Sequence, residues 1–289
     1  MSDQPSARKE KWTVLKVLNW TTQYFQQKGI ATPRLDAEVL LAHLLGTDRV
    51  GLYLNYDKPL KEEELKAFRE MIQRRSGGEP IAYITGYKEF WGLRFRVTPA
   101  CLVPRPSTEL LVEEALKIAR TIPSPKILEI GTGCGAVAIA LAKELKEAQV
   151  VATDISPYAL EVAAENAKEH GVEVIFLQAD LFPEGEVYSL VVSNPPYVPT
   201  EKIFELEPEV RDYEPPEALD GGEDGLKYFR AIAKEAPGHL SEGGWLILEM
   251  GEGQHEQVLD ILKREGFSSL ELVPDLEGIK RVVKARWQG

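Results

Sequence analysis

Residues 126–135 read Lys126-Ile127-Leu128-Glu129-Ile130-Gly131-Thr132-Gly133-Cys134-Gly135, and this stretch decides the fold. A short apolar run meets three glycines at every second position, and an apolar helical pattern follows over 136–145. Such a run is a strand feeding a tight turn, where glycine permits a sharp bend and lets a ligand lie against bare backbone. The spacing is Gly-x-Gly-x-Gly, whereas dinucleotide-binding proteins use Gly-x-Gly-x-x-Gly. A hydride-transferring oxidoreductase is thereby disfavoured.

On the C-terminal side the alternation continues. Strands are expected at 150–155, 174–179, 189–193 and 245–250, and helices at 157–170, 226–240 and 254–265. Short apolar strands separated by helices predict an α/β fold, a mostly parallel sheet covered on both faces. Residues 270–273 and 279–284 predict a closing antiparallel hairpin. On the N-terminal side, residues 13–75 carry helical periodicity broken at Gly46 and Gly77-Gly78. Residues 81–85 and 93–97 read as strands of a hairpin, and Ser107 or Thr108 as the cap of a helix running to 120. The expected organisation is a helical domain over 1–80, a hairpin linker over 81–100 and the sheet domain over 101–289.

Composition narrows the function classes. Of 289 residues, 44% are hydrophobic and 28% charged, as in ordinary globular proteins. No apolar run approaches the roughly 20 residues that span a bilayer. Met1-Ser2-Asp3-Gln4-Pro5 lacks the apolar core of a secretory signal. Cys101 and Cys134 are too distant in sequence to suggest a disulfide or a zinc site, and no metal site is expected. A cytoplasmic location, a monomer and no contact with membranes are the expectation. The net charge of -12 opposes non-specific binding of nucleic acid. Residues 1–90 hold 14 Lys and Arg against 12 Asp and Glu, leaving 20 against 34 in the remainder. A near-neutral front part thus joins an acidic body.

Three strand ends converge on a nucleoside. The first supplies Gly131, Thr132, Gly133, Cys134 and Gly135. The second ends in Asp154, 23 positions after Gly131, where a carboxylate accepts both ribose hydroxyls. The third ends in Asp180-Leu181. Asp180 either accepts from an adenine amino group or caps a turn, and Leu181 packs on the base. The fourth ends in Asn194-Pro195-Pro196-Tyr197, a rigid loop whose two prolines remove two N–H donors. The Asn194 side-chain oxygen and the Pro195 carbonyl can accept both hydrogens of one planar –NH2 group, with Tyr197 stacked on its plane. An amide or aryl nitrogen delocalises its lone pair and is a poor nucleophile. Fixing both hydrogens aims the lone pair and stabilises the charge that develops on nitrogen. Cys134 reads as a space-filler. Arg105, between two prolines, reads either as a partner for acidic loop residues or as a salt bridge between domains.

Gly131-Thr132-Gly133-Cys134-Gly135, Asp154 and Asn194-Pro195-Pro196-Tyr197 together resemble class I S-adenosylmethionine-dependent methyltransferases acting on exocyclic or amide nitrogen. Arg34-Leu35-Asp36-Ala37-Glu38, residues 79–86, Glu89-Phe90-Trp91-Gly92, Val103-Pro104-Arg105-Pro106 and the run from Pro216 to Leu226 resemble the protein-glutamine N5 branch. Within that branch they resemble the enzymes that act on the Gly-Gly-Gln loop of class I peptide chain release factors. The resemblance implies a Rossmann-like sheet with a small N-terminal helical domain that recognises the substrate. It also implies S-adenosylmethionine as cofactor, S-adenosylhomocysteine as product, and no direct nucleic-acid partner. Cofactor contacts are implied for the residues from 131 to 135, Asp154, Asp180, Leu181 and Asn194. Asn194, Pro195, Pro196 and Tyr197 are implied for the substrate, and Asn194, Pro195 and Tyr197 for catalysis. A ribosomal-protein glutamine or a nucleic-acid base amino group is the alternative acceptor. The family more often has Ser or Thr at 134, Glu at 107 and an aromatic residue at 181.

Overall fold

The computed structural model describes residues 11–289, so the Met1–Pro5 stretch weighed for a secretory signal lies outside the described residues. Among the described residues no helix is long and apolar enough to cross a membrane. The chain divides between Thr85 and Gly86 into two compact units.

The first unit is helical: α1 Val14–Gln27, α2 Pro33–Leu45, α3 Arg49–Leu54, α4 Glu62–Ser76 and α5 Ile81–Thr85. Pro33 opens α2 at a position where its missing N–H costs nothing, and Gly46 closes it in the left-handed region at φ 63°. Leu18, Phe25, Leu40, Leu41 and Phe68 form the core. Two buried carboxylates tie the helices together. Asp36 meets Arg75 at 2.7 Å, while Glu38 accepts from Arg34 at 2.6 Å, Arg49 at 2.9 Å and the Tyr53 hydroxyl at 2.8 Å. The Arg34–Glu38 motif is therefore spent on holding the unit together.

Residues 81–85 correct the sequence reading: they form a helix, not a strand. Their β-branched and aromatic side chains favour strand, but Pro80 starts a turn whose carbonyl accepts from Tyr83 N and Ile84 N. Ile84 then joins the helical core, so packing overrides propensity.

The second unit opens with a hairpin, β1 Tyr87–Phe90 and β2 Leu93–Arg96, turning at Trp91 (φ 53°) and Gly92 (φ 66°). Two consecutive positive φ values make the tight hairpin turn whose twist suits the strands. The Trp91 N–H is held by Glu109 at 2.8 Å. The buried Asn166 accepts from Arg96 N at 2.8 Å and donates to Arg96 O and, at 2.8 Å, to Cys134 O. These bonds fasten the hairpin to α6 and, through Asn166 of α8, to the glycine loop.

Then follow α6 Glu109–Ala119, β3 Lys126–Ile130, α7 Ala136–Glu144, β4 Gln149–Asp154, α8 Pro157–His170, β5 Ile175–Gln178 and β6 Tyr188–Ser193. The chain continues with α9 Pro208–Arg211, α10 Lys227–Glu235, β7 Leu240–Glu249, α11 His255–Arg264, β8 Ser268–Pro274 and β9 Lys280–Arg286. The seven-stranded sheet runs β5-β4-β3-β6-β7-β9-β8. The pairings among the first five strands are parallel, and both pairings of β9, with β7 and with β8, are antiparallel, so the sheet is mostly parallel with a closing antiparallel hairpin as the sequence predicted. Leu128, Ile130, Val191, Leu246 and Leu248 face α10 and α11 on one side. Winding reverses between β3 and β6, and in open α/β sheets that reversal opens a crevice at the carboxyl edge.

Candidate active site

The glycine loop leaves β3 and is pinned to β4. Gly131 N and Thr132 N both donate to Thr153 O at 2.9 Å, and Gly133 N donates to Asp154 Oδ2 at 2.8 Å. Asp154 Oδ1 accepts from Ser156 N at 2.9 Å. The carboxylate expected to hold a ribose thus also shapes the loop, and each of its oxygens keeps a further lone pair for another donor. The glycines serve different ends. A Cβ on Gly131 would meet nothing within 4 Å, so this face is open to a ligand, although its φ of 73° still favours glycine. A Cβ on Gly135 would strike Ile139 at 2.9 Å and Ala163 at 3.1 Å, so that glycine lets α7 and α8 approach.

Cys101 and Cys134 come together despite their distance in sequence, both buried and both free thiols. The neighbouring thiol and burial push Cys134 well above the ordinary thiol range, which suits a space-filler and not a nucleophile. Asp180 is exposed. Leu181 sits at φ 71°, an uncommon conformation for leucine, with its carbonyl held by Thr153 Oγ1 at 2.7 Å. Its side chain packs on the core beneath the strand end.

At the neighbouring end of β6, Asn194, Pro195 and Tyr197 line a cavity of about 240 Å³ together with Leu102, Arg105 and Leu219. Pro196 is half-buried and is not among the lining residues. Asn194 Nδ2 donates to Thr108 Oγ1 at 3.1 Å, which leaves Oδ1 as its free acceptor among the described residues. Arg105 pairs with the buried Glu214 at 2.7 Å, the loop partner among its two sequence readings. Burial, then the charge of Glu249, pushes Tyr197 up to about 12, which keeps it a neutral phenol.

The loop is braced from behind. Gln254 Nε2 donates to Tyr197 O at 2.9 Å, while Gln254 Oε1 accepts from Gly251 N at 2.9 Å. A Cβ on Gly225 would lie 2.4 Å from Tyr197 O, and one on Gly221 2.8 Å from Tyr197 Cα. The glycine-rich run from 220 to 226 therefore exists to let the backbone press on the loop.

Sequence reasoning missed Gln254, Asn166, Thr108, Glu129 and Glu249. The signal for the two glutamates was a charged residue near the end of an apolar strand. Thr108 stood as a possible cap, yet its side chain makes no capping bond. Glu129 Oε2 accepts from Thr132 Oγ1 at 2.6 Å and Ala138 N at 2.9 Å. Burial, and then the charge of Asp154, pushes Glu129 up to about 8. A carboxyl raised in the folded state stabilises the protein fully below its unfolded value, and that contribution is lost as pH rises through the folded one. Urea unfolding between pH 4.5 and 8 is expected to show stability falling with pH in the parent, and Glu129→Gln to flatten that fall. Identical slopes would mean Glu129 ionises freely.

Residues 16–86 match the family model for the PrmC N-terminal domain, and residues 106–206 that for the methyltransferase small domain. A release factor glutamine methyltransferase of Geobacter sulfurreducens is 49% identical over 288 residues, 99% of either chain. One from Rhodopirellula baltica is 40% identical, covering 94% of this chain and 95% of its own. Among solved structures, a methyltransferase from Pyrococcus furiosus superposes with a TM-score of 0.51 at 19% identity, over 76% of this chain and 98% of its own. A Thermus thermophilus 16S rRNA N2 G1207 methyltransferase, solved with AdoMet and guanosine, superposes with a TM-score of 0.51 at 18% identity, over 70% and 50%. These two share the fold.

Proposed function

We propose, for a chain that belongs to the release factor glutamine methyltransferase family, that the amide nitrogen N5 of the glutamine in a Gly-Gly-Gln loop is methylated at the Asn194 cavity. S-adenosylmethionine is the methyl donor, and it supplies an electrophilic methyl group that is passed to nitrogen. The residues present fit it. Open space lies beside Gly131, and the Asp154 carboxylate stands at the neighbouring strand end with its backbone bonds already made. Asp180 and Leu181 would close the adenine end.

The single observation that carries the reading is the amide of Asn194, whose nitrogen is committed to Thr108 so that its oxygen is left for an acceptor. That oxygen and the Pro195 carbonyl take the two hydrogens of the glutamine –NH2. Tyr197 stacks on the amide plane, and the apolar wall from Leu102 and Leu219 excludes water. The nitrogen lone pair is thereby turned toward the crevice at the β3–β6 seam. The proton departs after the N–C bond has formed, when the nitrogen has become acidic, so no general base is needed beforehand.

We further propose that the enzyme works as a monomer in the cytoplasm without contacting nucleic acid. Labelled methyl transfer into release factor, ribosomal protein and nucleic acid, run in parallel, tests the acceptor. Label in RNA, DNA or a ribosomal protein alone would overturn it. Gel filtration checks the monomer.

Asp154→Ala is expected to weaken S-adenosylmethionine binding by about 1–3 kcal/mol, roughly 5- to 150-fold, because hydroxyl donors lose their partner. Calorimetry showing unchanged affinity would remove Asp154 from the site.

A further inference from the structure

We propose that Glu249, acting through Thr108, is the positioning residue that keeps the Asn194 amide in the orientation methyl transfer needs. The proposal rests on the reaction assigned above. Ser193 pairs with Leu248 in the parallel β6–β7 register, so Asn194 and Glu249 leave neighbouring strands side by side. Thr108 arrives from the turn before α6 and accepts from Asn194 Nδ2 at 3.1 Å. Ser107 Oγ donates to Glu249 Oε1 at 3.3 Å; the Thr108 hydroxyl, one residue on, lies beside the same carboxylate without closing a hydrogen bond to it. Glu249 is 1% exposed, and its Oε2 is buried without a closed hydrogen bond. A buried orphan oxygen is costly, and its retention calls for a reason.

The reason is the shape of an amide. Its oxygen and nitrogen ends are nearly alike in size, so packing alone does not choose between the two orientations. A hydroxyl carries one proton. While Glu249 is ionised, that proton goes to the carboxylate, and Thr108 has only lone pairs to offer Asn194. Only the –NH2 end can face it, so Oδ1 faces the acceptor. If Glu249 is protonated, the relay reverses. Thr108 then donates to Asn194 Oδ1, and the –NH2 end is turned on an acceptor that is itself a donor. Burial pushes Glu249 up to about 7, opposed by Ser107 and Thr108, by Arg281 of β9 and by Arg105 before α6. Tyr197, from the loop after β6, is the other titratable group that faces it, and it remains neutral at these pH values.

The test is single-turnover methyl transfer to intact release factor from pH 6 to 9, with S-adenosylmethionine affinity measured on every variant. The parent rate should rise through pH about 7 with one proton lost. Glu249→Gln, which cannot ionise, should lose that limb. Thr108→Val should slow transfer roughly 10- to 100-fold at unchanged cofactor affinity, and Thr108→Ser should recover most of the rate. In an Asn194→Ala background, Thr108→Val should cost nothing further, because the relay has no other output. A limb that survives in Glu249→Gln, or a Thr108→Val loss that multiplies with Asn194→Ala, would overturn the proposal. A parent enzyme that labels another acceptor instead would refute the assigned reaction, and the same variants on that acceptor would still judge the relay.

Discussion

Asn194→Ala is expected to transfer methyl in a single turnover roughly 100- to 1,000-fold more slowly than the parent, the usual effect of removing one prearranged transition-state hydrogen bond. Cofactor affinity should hardly change, since the residue's work is done on the acceptor nitrogen as charge develops. The substitution removes two things together: the Oδ1 acceptor on the cavity wall and the Nδ2 partner of Thr108. Asn194→Asp restores an acceptor without the donor and should recover only part of the rate. Rapid-quench transfer on intact release factor is the measurement. Equality of Asn194→Ala with the parent would refute the amide-orienting mechanism.

The second large effect is expected from removing the helical unit. Deletion of residues 1–85 should leave S-adenosylmethionine binding close to that of the full chain, because every candidate cofactor residue lies in the second unit. Activity on intact release factor should fall about 100-fold or more. Activity on a short peptide carrying Gly-Gly-Gln, weak from the start, should change little. Distant docking contacts hold a substrate in line, and a peptide never had them. The cut belongs at 85 and not at 80, because α5 contributes Ile84 to the core of the helical unit. The large apolar side chains that this unit leaves exposed among the described residues include Trp12, Trp20, Leu35, Val50 and Leu54, whereas Arg34 and Glu38 are occupied with each other. Equal loss on both substrates would indicate misfolding. No loss on the intact factor would refute a docking role.

Much of the catalytic unit was legible because its signals are local. The run from 126 to 135 contains a strand, a turn and a helix start within ten residues, and the Asn-Pro-Pro-Tyr loop carries its own rigidity. What stayed hidden depends on pairings across long stretches of chain. Thr108 meets Asn194 across 86 residues and Ser107 meets Glu249 across 142, distances that only the strand order closes. The two cysteines, read as too distant in sequence to suggest a disulfide or a zinc site, are brought together for the same reason and stay free thiols. Residues 81–85 misled for another reason: their intrinsic preference was strand, and a tertiary core decided otherwise.

The sheet order has a consequence for divergence. Residues assigned to the nucleoside leave β3, β4 and β5, on one side of the winding reversal, whereas those assigned to the acceptor amide leave β6 and β7, on the other. In chain terms, one set falls between 129 and 181 and the other, apart from the segment around 102–108, between 194 and 254. A lineage can therefore accumulate changes that retune what is modified while the grip on the methyl donor stays under separate selection. One seam the two halves must keep in common is the pairing of β3 with β6, where Ile130 stands opposite Ser193.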